Sequence, residues 1–168
     1  LAVVHQHLFG IPQPVEHVRK VADRLGIPVI EDAAQGLGGS LKNTPMGAMG
    51  DYAIFSFGRG KPLPVGCGGA LVGRGQVLEA LVSPGSKSGF KQLCRSIAVH
   101  ALSHPLLYGV MEMLPLGLGE TIFDPEFTIS GMPAVMKRLA ERSLGNIDKQ
   151  VERRRDIAAV YRLCLDGS

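Results

Sequence analysis

Ile27-Pro28-Val29-Ile30-Glu31-Asp32-Ala33-Ala34-Gln35 and Tyr52-Ala53-Ile54-Phe55-Ser56-Phe57-Gly58-Arg59-Gly60-Lys61-Pro62 are two segments built alike. Each opens with a short apolar run whose length and β-branched or aromatic content suit a buried strand. Each closes on residues that do not continue one. The first delivers Glu31 and Asp32 to its carboxyl end, and the second opens into Gly58-Arg59-Gly60-Lys61-Pro62, where glycine and proline favour a turn. Ligands of open α/β sheets gather outside the carboxyl ends of the strands. An acid, Asp32, and an amine, Lys61, are therefore expected at one rim.

Working outward, Leu1 to His5 reads as a further strand ending near His5-Gln6-His7. Pro12 to Leu25 carries Val15, Val18, Val21, Ala22 and Leu25 on a helical stripe, with Glu16 in the first turn and Arg24 late, before Gly26 stops it. Strand, helix and strand with short joints make a βαβ unit, hence a parallel pair. Residues 36–50 are too rich in glycine and turn formers for a long regular element, and Gly68 to Val72 reads as another strand. The fold class is therefore α/β, a mostly parallel sheet flanked by helices.

Further along, Gln76 to Leu81 suggests a short helix and Ser83 to Gly89 a loop. The stretch 97–118 is apolar over membrane-spanning length. Pro105, Pro115, His100, His104 and Glu112 interrupt it, and backbone groups freed there would go unpaired in lipid. Burial against another domain or subunit is the expected role, with membrane contact the lesser reading. Asp124 to Met132 reads as a linker. From Pro133 to about Leu165 an apolar stripe predicts one long helix with Gly145 as its point of kinking, and Arg153-Arg154-Arg155 on it reads as a solvated face.

An amine and an acid converging on one rim suit pyridoxal 5'-phosphate, whose carbonyl forms a Schiff base with lysine and whose pyridine nitrogen stays protonated beside a carboxylate. Ser56 could add a hydroxyl for the phosphate. On spacing alone, a turn-forming Asp32 and a solvated Lys61 are the commoner reading. A phosphate-loop reading fails, because Pro62 follows Lys61 where Ser or Thr is required and Phe55 stands where the first glycine should be. His5 and His7 share a strand face but have no third ligand at metal spacing, so one packed and one wet histidine are expected, and no metal.

Val29-Ile-Glu-Asp-Ala-Ala-Gln35, Met49-Gly-Asp-Tyr-Ala-Ile-Phe-Ser-Phe57 and Gly66-Cys-Gly-Gly-Ala-Leu-Val72 resemble, in order and spacing, the signature blocks of the DegT/StrS-type nucleotide-sugar aminotransferases. These are pyridoxal-phosphate enzymes of fold type I. The resemblance runs over most of residues 1 to 80 and returns from about Gly131 to Leu165. It implies that Lys61 is the catalytic lysine that carries the cofactor, that Asp32 partners the pyridine nitrogen, that Gln35 lies near the phenolic oxygen and that Ser56 binds the phosphate. His7-Leu-Phe-Gly10 matches the family's His-Leu-Tyr-Gly block, which brings His7 close to the site. Two departures are Lys61-Pro62 for the usual Lys-Asn and Gly66-Cys67-Gly68-Gly69 for Gly-Glu-Gly-Gly. Relatives that dehydrate the sugar carry histidine in place of the lysine, and Lys61 argues against that reaction. A non-catalytic binding or scaffolding role is the alternative from another class, hinted at by the altered Gly-Cys-Gly-Gly block.

The resemblance further implies a division into residues 1–125, part of the cofactor-binding large domain, and 126–168, a linker and long helix entering a small domain. The chain starts inside a strand without methionine, as a central fragment would, and the family's phosphate-cradling loop and ring-stacking aromatic would precede it. The expected partners are a nucleotide-linked keto sugar, an amino-acid amine donor, often glutamate, and a second subunit in a homodimer. With 168 residues and 45% hydrophobic content there is enough for one ordinary core. Eighteen Lys and Arg against fifteen Asp and Glu leave +3, spread along the chain, which gives no nucleic-acid footprint. Cys67, Cys94 and Cys164 form no Cys-x-x-Cys pair and leave one odd, fitting a reducing, cytoplasmic compartment.

Overall fold

The computed structural model describes residues 1–73, 89–102 and 130–166. The expected helix over 76–81, the loop over 83–88, the apolar stretch beyond Leu102 and most of the linker lie outside the described residues. Among those described, no helix is long and apolar enough to cross a membrane.

Strand β1 (Val3–Gln6) leads through a 3-10 turn at Leu8–Gly10 to helix α1 (Glu16–Leu25) and strand β2 (Val29–Asp32). The two strands pair in parallel, with Val3 beside Val29 and Gln6 beside Asp32, as the βαβ reading requires. Gly26 ends the helix at φ 63°, a left-handed conformation open to glycine, and its N–H closes on the Ala22 and Asp23 carbonyls. Only part of the predicted stripe is core. Val15 and Ala22 are buried with Val29, and Val18 packs against them, whereas Val21 and Leu25 are exposed. Val15, Val18 and Ala22 follow i, i+3, i+7 spacing and define the facing line; Val21 and Leu25 sit one ridge to the side.

A two-residue hairpin follows, β3 (Ser40–Leu41) and β4 (Thr44–Pro45), turning at Lys42 and Asn43, both at positive φ. That is the hairpin twist a two-residue loop needs. Strand β5 (Tyr52–Ser56) then pairs in parallel with β2, and β6 (Gly69–Gly73) pairs antiparallel with β5, for a sheet order β1-β2-β5-β6. Helix α2 (Gly89–Leu102) packs on α3 (Ala134–Leu144), and α4 (Ile147–Asp166) follows. The single helix expected over 133–165 is thus two. The break falls at Gly145 and Asn146, where the Asn146 N–H turns back to the Ser143 carbonyl.

Strand parity gives the sheet two different faces. Val29, Glu31, Ala53 and Phe57 point to one side and are buried. Here α1 covers β2, while Phe57 joins Leu63, Val65, Met136 and Ala140 in a second cluster beneath α3. The other face carries Val4, Ile54 and Leu71, all exposed, together with half-buried Ile30, Asp32 and Ser56. Leu63 is fully buried in the loop that carries Lys61, so Leu63→Ala should lower stability in urea unfolding by about 2–5 kcal/mol.

Candidate active site

Asp32 ends β2 and Ser56 ends β5, two parallel strands, so both arrive at the same rim. Tyr52 and Ile54 stand beside Ile30 and Asp32, and Ser56 continues that even-numbered row. Asp32 and Ser56 therefore project from one face of the sheet. Asp32 Oδ1 accepts the Ala34 N–H at 3.1 Å, an Asx turn that bends the chain off the strand. Its Oδ2 has no hydrogen-bond partner among the described residues. Ser56 Oγ accepts the Gly58 N–H at 3.3 Å and begins the turn that leads to Lys61.

Lys61 is half-buried, and its N–H donates to the Gly58 carbonyl at 3.3 Å. Pro62 and Leu63 behind it are buried. Gln35 is exposed in the loop after β2, and its backbone lies against Gly10. A Cβ added at Gly10, where φ is 74°, would lie 2.5 Å from the Gln35 carbonyl oxygen. Only glycine fits that approach, so the His7-Leu-Phe-Gly10 block and the Asp32-to-Gln35 block sit side by side. Gln35 and Pro62 line one cleft of about 350 Å³, closed on a third side by Val151, Arg154 and Ala158 of α4. Asp32, Ser56 and Lys61 do not line this cleft; Asp32 and Ser56 share a strand-end face, and Gln35 and the Lys61 loop follow them directly in the chain.

Beneath the rim lies a residue that the sequence reading passed over. Glu31 is fully buried, yet it holds four donors. Its Oε2 accepts from His7 Nε2 at 2.9 Å and the Gly47 N–H at 2.8 Å; its Oε1 accepts from the Met49 N–H at 2.6 Å and from the Gly50 N–H. His7 Nδ1 in turn accepts the Gln13 N–H at 3.1 Å, so the hydrogen sits on Nε2 and is donated to Glu31. Both ring nitrogens of His7 are thereby committed to protein groups, and neither is free for a metal. His7 is the packed histidine of the pair, while His5 is half-buried and stacks edge-on to it at 5.3 Å. Burial alone would raise the Glu31 pKa, but the bonds from His7, Gly47, Gly50 and Met49 outweigh it and hold the carboxyl below its ordinary 4.5. A local signal existed in an acid at an odd, inward position of a strand; its donors are mostly backbone and carry no sequence mark.

The family model of the DegT/DnrJ/EryC1/StrS aminotransferases matches residues 1–167. The chain belongs to this family. It is 30% identical over 161 residues to L-glutamine:2-deoxy-scyllo-inosose aminotransferase of Streptomyces paromomycinus, covering 95% of this chain and 34% of that protein. EpsN of Bacillus subtilis, whose name describes a pyridoxal phosphate-dependent aminotransferase, is 38% identical over 71 residues, 42% of this chain and 18% of its own length. Among solved structures, DesI in the presence of its TDP-sugar product superposes with a TM-score of 0.57 at 27% identity, over 96% of this chain and 34% of DesI. The chain thus spans about a third of the length of the Streptomyces paromomycinus protein and of DesI, and matches 18% of EpsN.

In Glu31→Gln an amide nitrogen would face two N–H donors, so unfolding should be easier by about 2–6 kcal/mol, at about 1–3 kcal/mol for each donor left unsatisfied. The pH dependence has a definite sign. A depressed folded-state pKa contributes stability that is complete above 4.5 and is lost as pH falls below it. Wild-type stability should fall on acidification through that range in denaturant titrations, and Glu31→Gln should show a shallower fall.

Proposed function

We propose that this chain forms the central part of a pyridoxal-phosphate-dependent aminotransferase that moves an amino group from an amino acid to a nucleotide-linked keto sugar. The observation that supports it most is that Asp32 and Ser56 share one face at the rim where the Lys61 loop opens. The described residues fit the cofactor in kind: an acid with an uncommitted oxygen, a hydroxyl at a strand end, and a lysine held in a turn. When bound, pyridoxal phosphate supplies an electron sink for a carbanion at the substrate carbon.

In this reading Lys61 carries the cofactor and, once released, moves the proton at the reacting carbon as a general base. Asp32 holds the proton on the pyridine nitrogen. Ser56 hydrogen-bonds the phosphate and Gln35 the phenolic oxygen. Residues 1–125 belong to the large domain and 126–168 lead into a small one. The amine donor is glutamate or its amide, the latter named in the Streptomyces paromomycinus relative. The working form is a cytoplasmic homodimer, with its sugar product directed to polysaccharide or secondary-metabolite synthesis.

Incubated with pyridoxal 5'-phosphate, the intact gene product should develop a visible absorbance band that borohydride bleaches, leaving the cofactor on Lys61 by mass spectrometry. Lys61→Ala should abolish the band. Asp32→Ala should retain the far-UV circular dichroism of wild type while transfer from ¹⁵N-glutamate or ¹⁵N-glutamine to a keto-sugar panel drops by about 100-fold or more. A protein that stays colourless with excess cofactor defeats the proposal.

A further inference from the structure

Arg154 lies in the basic run that the sequence reads as a solvated face, yet its guanidinium reaches back 92 positions and donates from Nη2 to the Pro62 carbonyl at 2.8 Å. Pro62 directly follows Lys61. The backbone around Lys61 is constrained from several directions. Its own N–H is held by the Gly58 carbonyl. The ring of Pro62 fixes that residue's φ and keeps Lys61 out of the helical region. Leu63 is fully buried. These restraints do not fix ψ of Pro62, which swings its carbonyl, and Arg154 holds that carbonyl by a charge-assisted bond.

The helix that carries Arg154 has no buried residue of its own. What seats it on the rim is its first turns: Ile147 packs on the Phe57 and Leu63 cluster, and Val151 lies so close to Gly38 that a Cβ there would meet it at 2.5 Å. Gly38 belongs to the loop that carries Gln35. Helix α4 therefore touches both loops of the rim, one through Val151 and the other through Arg154.

We propose that Arg154 is a positioning residue for Lys61, setting the direction of the lysine loop from across the cleft without touching cofactor or substrate. The inference rests on the role given to Lys61 above. Arg154→Met removes the donor and keeps much of the apolar stem. In the intact gene product this variant should slow covalent attachment of pyridoxal 5'-phosphate, read from growth of the visible band, by about tenfold or more, the size of one charge-assisted bond. Pyridoxamine 5'-phosphate, which cannot attach to the lysine, should bind as in wild type. Arg154→Lys, which still donates one hydrogen bond, should recover most of the rate. Without any cofactor, amide exchange in the 58–65 segment of Arg154→Met should quicken by about tenfold while the β2 segment is unchanged.

Equal attachment rates in wild type and Arg154→Met overturn the inference and leave the cofactor assignment intact. Parallel weakening of both cofactor forms, or a general loss of thermal stability, also overturns it, because the bond is then only structural. A wild-type protein that attaches no cofactor overturns both readings.

Discussion

The structure depends on a buried carboxylate. An unpaired carboxylate in an apolar interior would cost far more than any single contact returns, so Glu31 is tenable only because His7 Nε2 and the N–H groups of Gly47, Met49 and Gly50 all converge on it. Those donors come from just beyond β1 and from the loop that enters β5. One side chain thus fixes the end of the first strand, the second strand itself and the approach to the third. Because neighbouring strand residues point to opposite faces, anchoring Glu31 inward also turns Asp32 outward. The acid at the rim has its direction set by the acid beneath it.

That division of labour explains why the two faces differ. The odd-numbered face is closed by α1 over Val29 and by α3 over Phe57, and Ala53 on it is buried. The even-numbered face keeps Asp32 and Ser56 half-buried, where a polar ligand can reach them without displacing a packed core. Parallel sheets commonly bury both faces, and among the described residues this one covers a single face. A site on the less covered face can be polar because rigidity is supplied from the other side.

The strands and their order of use were legible because β-branched and aromatic runs bounded by Gly, Pro and Asp leave little choice of conformation: Val29–Asp32, Tyr52–Ser56 and Gly69–Gly73 lie within one or two residues of where the pattern puts them. Gly26 likewise marks its own cap. The two-residue hairpin at Lys42 and Asn43 was hidden among turn formers, since four residues of strand leave no alternation to read. The helix break at Gly145 and Asn146 was visible as a weak point but not as a stop. Asp32, Ser56, Gln35 and Lys61 can be proposed as site residues from motif order, and of these Asp32 and Ser56 share one strand-end face. Glu31 and Arg154 cannot be proposed that way, because the groups they bind are backbone N–H and C=O, which every residue offers alike, and only the closed fold decides which ones come within reach.

The two overlooked residues act on different parts of the rim. Glu31 works through the sheet, where strand hydrogen bonds on both sides of β2 already restrict motion, so its effect on Asp32 is built into the core. Arg154 works through a loop that is also held by a 3.3 Å backbone bond, a proline ring and buried Leu63, and it does so from a helix with no buried residue. A restraint of that kind can be altered by any movement of α4, whereas the Glu31 network can be altered only by opening the core. The acid side of the rim is therefore fixed with the fold, whereas on the lysine side the Pro62 carbonyl is held from α4.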